Sequence, residues 1–227
     1  MPATVLIVED EAAILELIAV NLEHAGFETL RAKSAEEAAR MLGDILPDLV
    51  LLDWMLPGQS GLALARRLRG DARTRDMPLI FLTARAEEPD KIAGLEAGAD
   101  DYITKPFSTK ELVARIRSVL RRRKPQHGEA PVEIAGLRLD PAAHRVTGNG
   151  EALSFGPTEF RLLHYLITHP NRVYTRAQLL DEVWGDHVFI EERTVDVHIR
   201  RLRQALAPSG HDSLIETVRG SGYALRP

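Results

Sequence analysis

The chain has no cysteine among its 227 residues, which excludes disulfides, thiol nucleophiles and thiolate metal sites. It also lacks an apolar run long enough to span a bilayer, and its start is not the basic-then-apolar pattern of a secretory leader. These absences give a cytoplasmic location and no membrane partner as the expectation. An excess of basic charge is missing too: 29 Lys and Arg stand against 33 Asp and Glu, a formal net charge of −4. Splitting the chain at Pro131 changes little, with 18 basic and 21 acidic residues before the cut and 11 and 12 after it. Global charge is therefore silent about nucleic acid, and only local clustering can reveal a basic face. Lysine is absent from residues 132–227, where arginine takes its place. What is present, 44% hydrophobic and 27% charged residues, suits one or two globular domains with real cores and not a disordered chain.

Residues 48–57, DLVLLDWMLP, are the most informative stretch. The aliphatic run Leu49 to Leu52 predicts a strand buried on both faces of a parallel sheet. It ends in one carboxylate, Asp53, at the position where open α/β sheets bind ligands. Alone, that acid is equally well a helix N-cap or a loop residue. Four further strands are predicted, at Thr4–Val8, Glu28–Ala32, Pro78–Leu82 and Asp101–Thr104. Helices alternate with them: one with Ile14, Leu17, Ile18 and Leu22 as its buried face, one opened by the capping box Ser34 to Glu37, one through Leu62, Leu64, Ala65 and Leu68, one from Pro89 to Gly98, and one after the box Ser108 to Glu111. Five βα units imply a doubly wound five-stranded parallel sheet.

The strand ends of such a sheet share one rim, so Glu9, Asp10, Asp53, Thr83 and Lys105 should converge. Crowded carboxylates repel, and a bound Mg²⁺ relieves them, taking one or two carboxylates plus water and a phosphate oxygen. Asp53 is then placed to attack a phosphoryl donor, with Lys105 neutralising phosphoryl oxygens and Thr83 donating a hydroxyl. Taken singly, Thr83 is a strand-end hydroxyl and Lys105 a surface lysine; their placement on separate strand ends favours function.

With these residues in hand, residues 3–122 resemble the receiver domain of two-component response regulators. The matching motifs are Glu9-Asp10, Asp53, Pro57-Gly58, Thr83-Ala84 and Lys105-Pro106. The resemblance implies phosphotransfer from a sensor histidine kinase to Asp53. It implies Mg²⁺ held by Asp10, Asp53 and the Met55 carbonyl, with Glu9 acting mostly through water, and a cis Lys105-Pro106 bond. It also makes Tyr102 a switch residue that turns inward when Thr83 moves toward the phosphate, although a half-buried strand tyrosine is the plainer reading. Haloacid-dehalogenase-type phosphatases also use a strand-end aspartate, but they need a second acid two residues later. Met55 occupies that position, so an enzyme of that kind is not expected.

The receiver is expected at residues 1–123, a linker at 124–131 and the effector at 132–227. Arg121 to Lys124 is either the solvated basic end of a helix or a nucleic-acid patch, and PQHGEAP reads as linker. Alternating short stretches with an Asn149-Gly150 turn predict a small antiparallel sheet after it. Three helices follow: from Pro157, from the capping box Thr175 to Gln178, and from about Glu192 to Leu206. The third has a buried stripe of Val195, Ile199, Leu202 and Leu206. Its second face, Thr194, Val197, His198 and Arg201, is flanked by Arg193, Arg200 and Arg203. Four arginines against one acid within residues 193–203 suit a helix inserted in a DNA major groove. A solvated amphipathic helix would be richer in glutamate and lysine. A terminal hairpin around Gly220-Ser221-Gly222 carries Arg219 at its tip.

Residues 130–227 resemble the winged-helix effector of OmpR/PhoB-type regulators, on RTVDVHIRRLR at Arg193–Arg203 and VRGSGY at Val218–Tyr223. In that family the third helix reads the major groove and the wing arginine enters the minor groove; Thr217 joins the contact set. The loop GDHVFIEE is either tucked onto its own domain or a docking surface. The family uses it to touch the RNA polymerase sigma subunit, implying contacts from Trp184, Val188, Phe189, Glu191 and Glu192. The family also dimerises on phosphorylation and binds direct-repeat DNA, pairing Lys91 with Glu111, Glu96 with Arg117 and Asp101 with Arg115 across the interface. Four segments (DWMLPG, TRDMP, HPNRVY and the third helix) are closest to the family's phosphate-starvation regulators. The alternatives are an OmpR-type regulator answering another signal, and a phosphotransfer or scaffold receiver with a protein-binding C-terminal domain.

Overall fold

The computed structural model of the chain describes residues 2–84, 93–121, 130–184 and 192–227, which fall into two compact units, 1–121 and 122–227. In the first, strands β1 (Thr4–Val8), β2 (Glu28–Ala32), β3 (Leu49–Asp53), β4 (Leu79–Thr83) and β5 (Asp101–Thr104) form one parallel sheet in the order β2-β1-β3-β4-β5. The order reverses between β1 and β3, which opens a crevice at their C-terminal ends. Every residue of β3 and β4 is buried, as aliphatic runs without alternation require when helices cover both faces.

On one face, helices α1 (Ala12–His24) and α4 (Thr109–Arg121) pack Leu15, Ile18, Leu22, Leu112 and Ile116 against Val5, Ile7, Leu49, Leu51 and Ile80. The alternate strand residues Leu6, Val50, Leu52 and Phe81 are also buried. Helix α2 (Ala35–Asp44) touches β1 and α3 (Gly61–Gly70). Residues 93–96 are helical, and the expected start of that helix lies outside the described residues. The Ser34 hydroxyl accepts from Glu37 N–H, as the capping box predicts, but the Glu37 carboxylate reaches back to Lys33 N–H and not to the cap residue itself. The expected face of α1 needs correction: Leu15, Ile18, Ala19 and Leu22 are buried, whereas Leu17 is 53% exposed. Apolar residues surround nearly the whole of this helix, so periodicity alone does not fix its rotation.

The second unit opens with a four-stranded antiparallel meander, β6 (Val132–Ile134), β7 (Leu137–Asp140), β8 (Arg145–Gly148) and β9 (Glu151–Leu153). Positive φ at Asn149 and Gly150 closes the last hairpin. Helices α5 (Pro157–Thr168), α6 (Arg176–Trp184) and α7 (Arg193–Leu206) share one core with the terminal hairpin β10 (Ile215–Val218) and β11 (Gly222–Leu225). Thr175 and Gln178 exchange both bonds of a capping box at the start of α6. Within α7, Val195, Ile199, Leu202 and Leu206 are buried in that core, as their spacing predicts.

The hairpin is tied to the residues ahead of α6 by a two-way bridge between Tyr174 and Tyr223. Gly222 makes this approach possible: it has φ +144, and a Cβ there would overlap the Tyr174 carbonyl. Gly222→Ala should therefore cost about 3 kcal/mol or more, combining a backbone region closed to alanine with a backbone clash. Thermal unfolding of the second unit's transition checks this, and an unchanged midpoint would refute it.

Candidate functional site

The rim of the parallel sheet collects the expected residues. Glu9 follows β1 and is fully buried, Asp10 beside it is exposed, and Asp53 ends β3 at 4% exposure. Lys105 follows β5, and its ammonium bridges the two buried acids: Nζ lies 2.7 Å from Glu9 Oε2 and 2.6 Å from Asp53 Oδ2. The other Asp53 oxygen, Oδ1, accepts from the Met55 amide at 2.8 Å. The Lys105-Pro106 bond is cis, and the Lys105 amide donates to the Thr83 carbonyl at 2.7 Å. Thr83 closes β4 and is buried. Tyr102 is buried as well, more deeply than its alternative reading as a half-buried strand tyrosine. Gly61 lies against the strand end, where a Cβ would overlap the Asp53 carbonyl.

Two buried carboxylates sharing one cation leave an imbalance of charge. Burial pushes the Glu9 carboxyl up, and the Asp53 charge adds to this; the Lys105 hydrogen bond and charge pull it down, and the balance stands at about 7. Burial works against the Lys105 ammonium, but hydrogen bonds and charge from Asp53 and Glu9 outweigh it and raise its pKa. Oxygens of Glu9, Asp10 and Asp53 lie within 4.8 Å of one another. Glu9 Oε1 is buried without a hydrogen-bond partner among the described residues. An all-oxygen, anionic cluster with an orphaned acceptor fits a hard divalent cation.

On the face around β5 and α4, residues named for pairs between chains are joined inside one chain. Within this chain, Arg115 Nη1 donates to both Asp101 oxygens at 3.1 Å, while Nε and Nη2 donate to Glu111 Oε1 at 3.1 and 2.9 Å. Asp101 and Arg115 are buried there. Arg117 donates to the Ala25 carbonyl, Glu96 is exposed, and Lys91 lies outside the described residues. The Glu111–Arg115 spacing of four residues already favours a bond within one helix.

The arginine-rich helix also corrects the sequence reading. The face expected to meet a groove is largely covered: Thr194 and Val197 are buried and His198 is fully so. His198 Nδ1 bonds Glu159 Oε1 at 2.7 Å, its ring lies 5.1 Å from the Trp184 ring, and Arg201 also pairs with Glu159. Arg193, Arg200 and Gln204 are exposed, Asp196 and Arg203 half-buried. Arg203 braces the wing, donating to the Ile215 carbonyl at 2.6 Å and to the Thr217 hydroxyl at 2.8 Å. Asp196 accepts from Arg176 at 2.6 Å and from the Tyr223 hydroxyl at 2.7 Å, joining α6, α7 and β11. Arg219 and Thr217 are exposed on the hairpin.

Trp184 is fully buried in the core, which removes it from the expected polymerase-contact surface. Val188, Phe189 and Glu191 lie outside the described residues, and Glu192 is exposed. Glu159, Arg176 and Tyr223 escaped the sequence reading. The available signal for Glu159 was an acid one helical turn before the apolar pair Leu162 and Leu163.

Comparison with known proteins agrees with both units. Residues 5–117 match the family model for the response regulator receiver domain, and residues 150–225 match that for the C-terminal part of transcriptional regulatory proteins. The phosphate regulon transcriptional regulatory protein PhoB of Pseudomonas aeruginosa is 60% identical over 220 residues, 97% of this chain and 96% of the relative. The Escherichia coli protein of the same name is 56% identical over 98% of this chain and 97% of its own. Among solved structures, the Thermotoga maritima OmpR/PhoB homologue DrrB is 29% identical with a TM-score of 0.53 over the whole of both chains. A RitR mutant gives 27% and 0.79 over 98% of each. The sheet with its acidic rim, the winged helix and near full-length identity agree: the chain belongs to the OmpR/PhoB family of two-component response regulators, a receiver joined to a DNA-binding effector that regulates transcription.

Proposed function

We propose that Asp53 is the phosphoacceptor of a regulator of phosphate-starvation genes, driven by a sensor histidine kinase. The observation that carries the receiver chemistry is the Lys105 ammonium held between Glu9 and Asp53. An Asp53 oxygen attacks the phosphorus of a phosphohistidine; the P–N bond breaks, and the imidazole nitrogen leaves with the electron pair and takes a proton from solvent. Lys105 is within reach to neutralise phosphoryl oxygens as charge develops, and Thr83 to donate its hydroxyl. Glu9, Asp10, Asp53 and the Met55 carbonyl would hold Mg²⁺, which neutralises phosphoryl charge when bound. The phosphate-starvation role rests on the names of the relatives.

In this reading the receiver occupies residues 1–123 and the effector 132–227, joined by 124–131, in a cytoplasmic protein. Phosphorylation draws Thr83 and Tyr102 toward the phosphate and shifts the population toward a dimer. Lys91, Glu96, Asp101, Glu111, Arg115 and Arg117 form its interface, with the Arg115 bonds inside one chain exchanged for bonds between chains. An exposed pair such as Glu96 with Arg117 contributes only ~0–1 kcal/mol and fixes geometry more than affinity. DNA is held by Arg193, Arg200, Arg201, Thr217 and Arg219. Thr194, Val197 and His198 join only if their cover opens. The loop from Val188 to Glu192 meets the polymerase sigma subunit.

Acetyl phosphate with Mg²⁺ should convert the chain to a dimer and raise its affinity for direct-repeat DNA roughly 100-fold through bivalency. Light scattering and fluorescence anisotropy measure the two effects. Unchanged mass and unchanged affinity would sink the scheme.

A further inference from the structure

The terminal hairpin is tied to α7 by side chains that neither the receiver chemistry nor the exposed arginines use. Two strands paired over four residues are marginal by themselves, so what they pack on decides where their turn lies. The backbone bridge at Tyr174 joins β11 to the segment ahead of α6, and the Asn171 amide donates to the Leu225 carbonyl at 2.8 Å. Side chains tie both strands to α7 as well. Arg203 serves β10, donating to the Ile215 carbonyl and the Thr217 hydroxyl. Asp196 serves β11, accepting from the Tyr223 hydroxyl at 2.7 Å.

The Asp196 tie is set in a triangle. Arg176, at the start of α6, donates Nε to the same Asp196 oxygen at 2.6 Å and Nη2 to the Tyr223 oxygen at 3.2 Å. Its guanidinium stands 5.0 Å from the centre of the Tyr223 ring, and that of Arg203 stands 5.9 Å from it, both within cation–π range. A guanidinium only donates and a carboxylate only accepts, so the phenol must accept from Arg176 and give its hydrogen to Asp196. Burial, then the hydrogen bond and charge of Asp196, raise the Tyr223 pKa and keep that hydrogen in place.

Asp196 lies three residues after Arg193 and four before Arg200, on the side of α7 that exposes those arginines. An acid there repels phosphate and is a liability on a helix that meets DNA. The helix dipole favours an acid in a first turn, yet it does not aim one at a phenol on another strand. Tyr223 is four residues past Arg219, across a turn closed by the Ser221 amide on the Val218 carbonyl at 2.9 Å. The tie therefore fixes the distance and angle at which Arg219 stands from α7. That placement matters because a narrow minor groove attracts arginine only where the groove runs.

We propose that Asp196 is a positioning residue for the wing: through the Tyr223 hydroxyl, with Arg176 closing the triangle, it holds Arg219 so that the arginine enters the minor groove at one set distance from the pairs read in the major groove. This rests on the DNA contacts of α7 and Arg219 given above.

The test begins with a random-sequence duplex pool, from which the phosphorylated full-length wild type selects its preferred site. Each A·T pair of that site is then replaced in turn by G·C and by inosine–cytosine. Inosine–cytosine resembles A·T in the minor groove and G·C in the major groove, because it lacks the guanine amine. At the pairs the wing meets, G·C should cost wild type roughly 10-fold and inosine–cytosine should restore binding. Arg219→Ala should be indifferent at those pairs. Tyr223→Phe keeps the ring between the two guanidiniums and removes the hydroxyl; Asp196→Asn keeps the shape and removes the charge. Each should lose most of the 10-fold preference at the wing pairs. Pairs at which inosine–cytosine costs as much as G·C, read in the major groove, should be discriminated as in wild type. Asp196→Asn, a change at a half-buried residue, supplies the result if Tyr223→Phe does not fold. Wild-type preference retained at the wing pairs, or equal losses at major-groove and minor-groove pairs, would overturn the positioning role. A wild type for which inosine–cytosine never restores binding would instead overturn the minor-groove contact of Arg219 on which the role rests.

Discussion

Asp53→Asn should abolish phosphoryl uptake from acetyl phosphate, and with it the whole phosphorylation-dependent gain in DNA affinity, while leaving the receiver folded. An amide oxygen still accepts from the Met55 N–H that now bonds Asp53 Oδ1 at 2.8 Å, so the strand end keeps its local bond. The amide has no anionic oxygen to attack phosphorus, and among the described residues the other carboxylate on the Lys105 ammonium is Glu9, which is fully buried. Stability should hold or rise, because one of two crowded carboxylates disappears. The Asp53 charge is part of what lifts the Glu9 carboxyl to about 7, so Glu9 should titrate lower in the variant. Intact-mass spectrometry, anisotropy on direct-repeat DNA and thermal melting give the three readouts. A phosphoryl adduct on the variant, with the DNA response intact, would remove Asp53 from the centre of the scheme.

The receiver was legible because its signals are local and its geometry follows from topology. Aliphatic runs such as Leu49 to Leu52 identify buried strands, and a parallel sheet brings their ends to one rim whatever their distance in sequence. Glu9, Asp53 and Lys105 needed no further information. The rotation of α1 was not legible, since Leu15 and Leu17 are equally apolar and only packing on the sheet buries one and exposes the other. The effector was legible in its fold and less so in its surfaces. Periodicity found the core stripe of α7 but not the cover over Thr194, Val197 and His198 beside it, because the partner that draws in His198 sits on another helix, at Glu159. Arg203 was likewise read as a flanking charge, while the structure turns it to the Ile215 carbonyl and the Thr217 hydroxyl. A buried acid and its distant basic partners leave no period; the sign that remains is a charge where an apolar residue would otherwise stand.

Lys105→Ala should destabilise the metal-free receiver by about 3–5 kcal/mol at pH 8, the cost of leaving buried charge without its partner, and much less at pH 5. The direction follows from the two shifts at the site. Glu9 has a folded value of about 7 against 4.5 for the ordinary carboxyl, so the folded state holds this proton more tightly than the unfolded chain does. Its contribution is present at low pH and is lost as pH rises from about 4.5 to 7, roughly 3 kcal/mol for a shift of that size. The Lys105 pKa is raised, so its stabilising charge is fully present throughout pH 5–8 and fades only above its ordinary range. Without that ammonium, Glu9 loses the hydrogen bond and the charge that pull it down. The carboxyl must then protonate at still higher pH or remain an uncompensated buried anion. At pH 5 protonation answers the deficit; at pH 8 nothing among the described residues does. A divalent cation in the Glu9, Asp10 and Asp53 cluster would substitute for part of the missing charge, so millimolar Mg²⁺ should narrow the gap at pH 8 and leave it almost unchanged at pH 5, where protons compete for the same oxygens. Urea unfolding of wild type and variant at both pH values, with and without Mg²⁺, supplies the comparison. An equal loss at pH 5 and pH 8 would show that Lys105 acts there as packing and not as the cation shared by two buried acids.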